Sequence, residues 1–225
     1  MKDKFNLGLW KEKERLKDDV YKYLNKKTIG YKLLLSDLID CIYDIQETKS
    51  LTDKHLLTLE KGLKQPYELV FCDYSGKYLC CLAHSFDSVK NLILRLSSDK
   101  QLRIRFNIVT IMLYNPPPEI IYSVLINGLK DKSFKIREKS ADIALRLEYK
   151  EIYKNIDDLV SNEENTINAD KIKFYRDLAL NGYILKETCN GFDLTVKTKN
   201  GFTGRILDKN DLKSLDKIIR QIKNE

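Results

Sequence analysis

Residues 99–105 read DKQLRIR, and residues 131–137 read DKSFKIR, so one short pattern occurs twice at an offset of 32 residues. The agreement continues beyond the two patterns, because Ile111 stands in register with Ile143 and Leu113 with Leu145. Repeats of roughly 20 to 50 residues are typical of stacked helical hairpins, in which each unit buries its apolar face against its neighbours. The repeated stretch therefore predicts the fold of this chain.

The second copy has the pattern of two helices joined by a tight turn. Residues 116–118 are all proline, which ends the preceding segment and suits the first turn of a new helix. Aliphatic residues recur at helical spacing from Ile120 to Leu129, and residues 131–133 form a polar turn whose Ser133 is suited to cap the next helix. One face of that helix carries Ile136, Ser140, Ile143, Ala144 and Leu147.

The two copies resemble the HEAT repeat family. The resemblance rests on an aspartate in the turn, an aliphatic–arginine pair after it, and small or aliphatic residues on the second helix. These residues are Asp131, Ile136, Arg137, Ala141 and Ala144, with Asp99, Ile104 and Arg105 in the first copy. The resemblance implies a HEAT-like α-α superhelix of antiparallel helical hairpins, in which the aspartate and arginine brace neighbouring turns. It implies a fold and says little about function.

Other helices are expected on both sides of the repeats. Residues 3–25 have an amphipathic pattern, with Trp10 as a packing anchor. Ser50, with Asp53 three residues later, looks like the cap of a short helix. Residues 73–76 look like a turn, and residues 162–168 like an acidic loop inside a third, degenerate unit that caps the stack.

The periodicity changes at Gly182 from the helical period to strict alternation of apolar and polar residues. The alternating residues include Phe192, Leu194 and Val196. Asn200 and Gly201 are a strong hairpin signal, and the closing segment is again helical in pattern. We therefore predict a mainly α protein with a helical-repeat domain over 1–182. Residues 183–225 form a small antiparallel β-meander and a C-terminal helix packed on the stack.

Composition indicates a helical protein with a solvated surface, because 32% of the residues are charged and 43% are hydrophobic. No segment has the pattern of a signal peptide or of a membrane-spanning helix. The five cysteines lack the spacing of a disulfide framework, which favours free thiols in a reducing compartment. We therefore expect a cytoplasmic protein that does not associate with membranes.

The sequence contains no recognisable catalytic or cofactor motif. His55 and His84 are the only histidines, and no nucleophile elbow, phosphate-binding loop or dinucleotide fingerprint occurs. Cys80 and Cys81, with His84, form the nearest approach to a metal-ligand cluster, but adjacent cysteines on a helix do not point at one ion. We therefore expect no enzymatic activity, no metal and no cofactor.

The net charge of +7 is concentrated in the repeats, because residues 88–150 contain twelve Lys and Arg against six Asp and Glu. In stacked hairpins the second helices line one continuous surface, which is the usual contact face. Polar positions of the two copies correspond at the same offset and predict a partner-binding ladder of mainly cationic residues. The ladder consists of Arg103, Asn107 and Tyr114 from the first copy and Lys135, Lys139 and Arg146 from the second.

Two classes of function fit this predicted ladder. The first is a non-enzymatic protein-binding module whose partner presents an acidic face, with a bacterial immunity or inhibitor protein that neutralises a toxin as a narrower hypothesis. The second is nucleic-acid binding through backbone phosphates, which would make affinity fall steeply with salt. A solvated lysine-rich surface without a partner would also account for the charge. Excision of damaged bases, as in some helical-repeat glycosylases, is less favoured, because the only tryptophan, Trp10, lies outside the repeats.

Overall fold

The structure is a computed structural model, and it describes residues 7, 9, 12–22, 32–65, 69–198 and 201–224. These residues form eleven α-helices and three β-strands, which confirms the predicted mainly α fold with a small antiparallel sheet and a closing helix. The chain divides into two compact units, residues 1–127 and 128–225. The predicted tryptophan anchor, Trp10, lies outside the described residues.

The first unit is helical throughout its described part. Its helices are α1 (Lys13–Tyr21), α2 (Lys32–Thr48), α3 (Asp53–Leu63), α4 (Leu69–Ala83), α5 (Asp87–Ser97) and α6 (Leu102–Ile111), with a short 3-10 turn at Met112–Tyr114. Consecutive helices pack on each other from α1 to α6, and α4 also contacts α6. Helix α7 (Pro118–Leu129) follows and spans the boundary between the units. The two repeat copies thus correspond to α5 with α6, and to α7 with the helix that follows it.

Two local predictions for the first unit are wrong. Residues 73–76 do not form a turn but lie inside α4, where Gly76 lets Ile111 approach so closely that a Cβ would overlap it. The α3 cap is Thr52 instead of Ser50, because its hydroxyl accepts the N–H of His55 at 3.4 Å. The His55 ring closes the capping box, with Nδ1 accepting the Thr52 N–H at 3.2 Å.

The second unit combines helices with the sheet. It contains α8 (Phe134–Arg146), a 3-10 turn (Lys150–Ile152), α9 (Tyr153–Asn162), α10 (Thr166–Asn181), β1 (Tyr183–Thr188), β2 (Gly191–Thr198), β3 (Gly201–Leu207), a second 3-10 turn (Asp211–Ser214) and α11 (Leu215–Asn224). Helices α8 and α9 both pack on α10. The predicted loop over 162–168 is shorter than expected, because α10 already begins at Thr166, where the Asn165 side chain accepts the Asn168 N–H at 3.1 Å.

The sheet is an antiparallel meander in the order β1-β2-β3. One of its faces packs on α11, and β1 and β2 also contact α10, the last helix before the sheet. Gly191 has a φ of 134°, and a Cβ at this position would overlap the Leu207 carbonyl oxygen. This close approach of two backbones requires glycine. The buried core between sheet and helix consists of Leu194, Val196, Leu207, Ile218, Ile219 and Ile222.

Candidate functional site

The turns of the two repeat copies have the same hydrogen-bonding pattern. In the first copy, the Asp99 Oδ1 accepts the Gln101 N–H at 2.8 Å, and in the second the Asp131 Oδ1 accepts the Ser133 N–H at 2.8 Å. A short polar side chain that accepts a backbone N–H two residues later stabilises a tight turn. The Ser133 hydroxyl does not make the predicted capping hydrogen bond, so the Asp131 side chain stabilises this turn.

The repeated arginines point back at the same turns. Each guanidinium donates from its Nη1 to two backbone carbonyls, with one hydrogen bond from each of the two hydrogens on that nitrogen. Both arginines therefore brace their own turns, and the expectation that they brace neighbouring turns stays a prediction. The bonds run from Arg105 Nη1 to the carbonyls of Asp99 (2.8 Å) and Lys100 (3.2 Å), and from Arg137 Nη1 to those of Asp131 (2.9 Å) and Lys132 (3.1 Å).

The predicted contact residues of α6 are tied to the end of α3. Asn107 is fully buried, and its amide donates to the carbonyls of Leu63 at 2.8 Å and Gln65 at 3.2 Å. The carbonyls at a helix C-terminus lack partners within the helix, so a buried amide stabilises them. Placing Asn107 on the contact surface is therefore wrong. Arg103 is exposed, but its Nη2 donates to the Lys64 carbonyl at 3.0 Å.

Tyr114, the third predicted contact residue of the first copy, is half-buried. Its hydroxyl donates to Oδ1 of Asp73 on α4, so the side chain connects the segment after α6 to α4. Arg103, Asn107 and Tyr114 thus all bond to preceding parts of the first unit. A partner could reach the exposed Arg103, but the other two serve mainly as internal ties.

The predicted contact residues of α8 share one acidic neighbour. Asp142 is buried, and its two oxygens accept from Lys139 Nζ at 3.0 Å and from Arg146 Nε at 2.8 Å. These residues are three and four positions from Asp142, which places all three on one side of the helix. The carboxylate offsets one of the two positive charges. Lys135 lies on the exposed surface nearer the start of α8.

An exposed apolar group lies beside α8, and the sequence did not indicate it. Ile167, on the first turn of α10, is 67% exposed. It lines a shallow groove of about 370 Å³. The groove is lined by Glu138, Ile167, Asp170, Lys171, Phe174 and Tyr175. The prediction treated residues 162–168 as a loop and so did not place Ile167 on a helix. Asn165 is suited to cap a helix, and this was the signal that could have shown where α10 begins.

Aromatic rings surround this groove. The Lys171 Nζ lies 5.7 Å from the Phe134 ring centroid, and the Phe174 ring meets the Tyr175 and Phe202 rings edge-on at 5.5 and 5.7 Å. Burial, followed by the negative charges of Asp142 and Glu138, raises the pKa of Tyr175 to about 12. The Tyr175 phenol is therefore neutral at physiological pH and supplies no base.

The thiols and histidines do not form a nucleophile–base pair in the described part of the chain. Burial raises the pKa of the Cys41 thiol to about 12 and also raises that of Cys80. The Cys80 Sγ donates to the Ile111 carbonyl at 3.3 Å, whereas the His84 ring bonds to the carbonyl of Asn115. The described residues contain no group of three or more His, Cys, Asp or Glu arranged to bind a metal ion.

None of the helices in the described ranges is both long enough and apolar enough to cross a bilayer. Comparison of the chain with known protein families, with characterised proteins and with solved structures gave no match.

Proposed function

We propose that this protein is a non-enzymatic protein-binding module that contacts its partner through the α8–α10 surface, defined here as Phe134, Lys135, Ile167, Lys171 and Phe174. The observation that carries the proposal is the exposure of Ile167 next to half-buried aromatic rings. A large aliphatic side chain gains free energy when a partner removes it from water. Aromatic groups around it provide the well-packed centre that protein interfaces use.

Glu138, Asp170 and Lys171 line the groove, so its charges are mixed. The acidic residues that we infer for the partner would meet Lys171 and Lys135. Both lysines are exposed. Exposed cations at the rim of an interface mainly accelerate association with an oppositely charged partner. Salt should therefore slow association more than it speeds dissociation. That the partner is a toxin which this protein neutralises stays a narrower prediction.

Nucleic-acid binding receives less support from this arrangement. The four cations that the sequence predicts as phosphate contacts are Arg103, Lys135, Lys139 and Arg146. Two of them share Asp142, and Arg103 donates to a backbone carbonyl. Phosphate binding by these groups would place a second anion beside Asp142, which costs free energy. The HEAT-like superfamily assignment and the absence of enzymatic activity stay predictions.

The test is a quantitative capture experiment with the full chain and two matched variants. Ile167→Asp places a charge in the apolar centre, and Leu180→Asp makes the same change at a 61% exposed position of the same helix. Both side chains are exposed, so each variant should unfold within about 0.5 kcal/mol of the wild type. Wild type and Leu180→Asp should capture the same protein from a nuclease-treated lysate of the native host. The amount captured by Ile167→Asp should be at least tenfold smaller.

Two outcomes would contradict the proposal. If all three proteins capture the same partner equally, the α8–α10 surface is not the contact. If retention depends on nucleic acid, falls linearly with the logarithm of salt concentration and is unchanged in Ile167→Asp, phosphate binding is the function. Lys135→Glu should slow association with an acidic protein and also weaken phosphate binding, so nuclease treatment and Ile167→Asp carry the distinction.

A further inference from the structure

Strand β3 is an edge of the sheet, because the strand order is β1-β2-β3 and no other strand in the described residues pairs with it. Its five central residues, 202–206, are all exposed, and Ile206 is 72% exposed. Edge strands offer unpaired backbone groups to other chains and are usually protected by charges, prolines, bulges or a covering element. This edge carries Ile206 and Gly204, and Arg205 is the single charged residue of β3.

The register shows which backbone groups point outward from this edge. The N–H of Lys197 donates to the Gly182 carbonyl, so Lys197 faces β1. The N–H and C=O groups of successive residues point to opposite sides of a strand, so those of Val196 point toward β3. Those of its partner Thr203 therefore point back toward β2. Residues one position away from Thr203 must then direct their N–H and C=O away from the sheet. The outward-facing residues are Phe202, Gly204 and Ile206.

The side chains of β3 are symmetric about Gly204. The segment reads Phe-Thr-Gly-Arg-Ile over 202–206, so an apolar and a polar residue flank the glycine on each side in mirror order. When a two-fold axis relates two antiparallel copies of one strand, each residue lies opposite the residue of the second copy that is equally far from the axis in the other direction along the chain. Centred on Gly204, this pairing sets Phe202 against Ile206 of a second copy and Thr203 against Arg205.

We propose that β3 pairs antiparallel with β3 of a second copy of this chain, with Gly204 on the two-fold axis. The three outward-facing residues of each copy then form three hydrogen-bonded pairs with the other copy, which gives about six backbone hydrogen bonds. The exposed Ile206 is covered by Phe202 of the second copy. No like charges stand directly opposite, because Thr203 faces Arg205. The product is one continuous six-stranded antiparallel sheet.

Two features favour β3 over the other edge of the sheet. A Cβ built on Gly204 has no heavy atom within 4 Å, so the face of the sheet beside the axis is open. Strand β1 instead contacts α10 and exposes Lys186 and Glu187, the charged protection that edge strands ordinarily carry. The pairing edge adjoins the α8–α10 surface, because the Phe202 ring meets the Phe174 ring at 5.7 Å, but Gly204 and Ile206 lie outside that surface.

Sedimentation equilibrium over a wide concentration range tests the proposal, with Gly204→Pro as the disrupting variant. Proline removes the outward N–H at the axis, and it spares the pairing with β2 because that N–H does not point at β2. Glu187→Pro is the matched control, since by the same alternation the Glu187 N–H points away from the sheet at the β1 edge. The wild type and Glu187→Pro should dimerise alike, and Gly204→Pro should raise the dimer Kd at least tenfold.

Cysteine cross-linking tests the register in a Cys81→Ser, Cys189→Ser background, which removes two exposed thiols. Opposed Cα atoms in a hydrogen-bonded pair are about 5.5 Å apart, within the range of a disulfide. Gly204→Cys should therefore oxidise to a covalent dimer. Ile206→Cys alone should not, because its copies lie four residues apart along the strands, but it should cross-link to Phe202→Cys in a mixture.

The proposal is overturned if the wild type is monomeric at all concentrations, or if Gly204→Pro dimerises like the wild type while its circular dichroism is unchanged. It is also overturned if Ile206→Cys cross-links to itself as readily as Gly204→Cys does. If Gly204→Pro does not fold, Ile206→Lys replaces it as the disrupting variant. A cation opposite Phe202 should raise the dimer Kd by a similar factor, and this substitution leaves the backbone hydrogen-bonding groups intact.

Discussion

The ion pair between Arg137 and Glu163 should be the most sensitive polar contact of the second unit. Arg137 Nη2 lies 2.6 Å from Glu163 Oε2, and the two side chains are only 16% and 9% exposed. The same guanidinium donates to the two turn carbonyls of the second repeat copy. The substitution Arg137→Ala removes these three interactions together and leaves a buried carboxylate without its cation.

The magnitude follows from these contacts. Removing one partner of a buried ion pair costs about 3–5 kcal/mol, because the remaining charge stays in a poorly solvated site. We therefore expect Arg137→Ala to lower the free energy of unfolding by about 4 kcal/mol. Adding Glu163→Gln should recover about 1–3 kcal/mol, since a neutral amide costs less to bury than a carboxylate. Arg176→Ala, which removes ion pairs with Asp157 and Asp177 whose carboxylates are 52% and 30% exposed, should cost about 1 kcal/mol.

The cost of Arg137→Ala should also depend on pH. Burial alone would raise the pKa of Glu163, but the hydrogen bond and the charge of Arg137 outweigh it and lower that pKa. A lowered folded-state pKa stabilises the protein above the unfolded value, about 4.3, and this contribution is lost as pH falls through the folded value. In Arg137→Ala, burial is opposed only by the hydrogen bonds from the Asn168 side chain and the Asn165 backbone, so the charged form of Glu163 loses most of its stabilisation. The stability difference should therefore narrow on acidification from pH 7.

Urea unfolding followed by far-ultraviolet circular dichroism measures all four proteins at pH 7 and near pH 4. The slope of free energy against urea must be similar among them for the comparison to hold. The reasoning is refuted if Arg137→Ala costs no more than Arg176→Ala. It is refuted equally if Glu163→Gln gives no recovery in the Arg137→Ala background and the difference between the proteins does not change with pH.

Three further predictions concern single sites. Lys139→Glu should cost about 1–3 kcal/mol in urea unfolding, because it replaces an ion pair of the buried Asp142 with a like charge. Gly191→Ala should cost about 2–4 kcal/mol and lower the Tm, since the new Cβ meets the Leu207 carbonyl oxygen at a φ of 134°. The Cys41 thiol, whose pKa burial raises to about 12, should react with a disulfide reagent at pH 8 only after the protein unfolds.

Each of these predictions has a matched comparison. Lys135→Glu, at an exposed position of the same helix as Lys139, should change stability by less than about 0.5 kcal/mol. Gly204→Ala should be similarly neutral, because a Cβ there meets nothing within 4 Å. Cys81 is exposed and should react in the native protein at least tenfold faster than Cys41. Equal effects within any of these pairs would show that burial is not the cause.

Features that depend on neighbouring residues in the chain were predictable from the sequence. The turn aspartates and the arginines six positions after them bond within their own turns, so the repeated pattern carries all the partners. The strands were predictable for the same reason, since alternation over Phe192 to Val196 directly encodes one buried face. The α3 cap was missed by two residues because Ser50 and Thr52 are both suitable caps, and the His55 ring that selects Thr52 is not a usual capping-box partner.

Features that depend on distant residues were not predictable. Residues 73–76 have turn-forming composition, yet Ser75 and Gly76 lie inside α4 because small residues are needed where Gly62 and Ile111 approach. Nothing near residue 75 in the sequence reports that Gly62 will pack against it. Local propensity was overridden here by close helix packing, which depends on the whole unit.

The same distinction explains why positions that correspond at the repeat offset have different surroundings. Asn107 and Lys139 correspond at the repeat offset, but Asn107 caps the buried end of α3, whereas Lys139 pairs with Asp142 on its own helix. The repeat offset identifies corresponding positions on two helices. It does not tell which residues surround those positions, because each helix packs on different preceding elements. The exposed Ile167 lies outside the repeated pattern altogether. A partner surface in such a chain is therefore better sought where the repeat breaks down than where it is most regular.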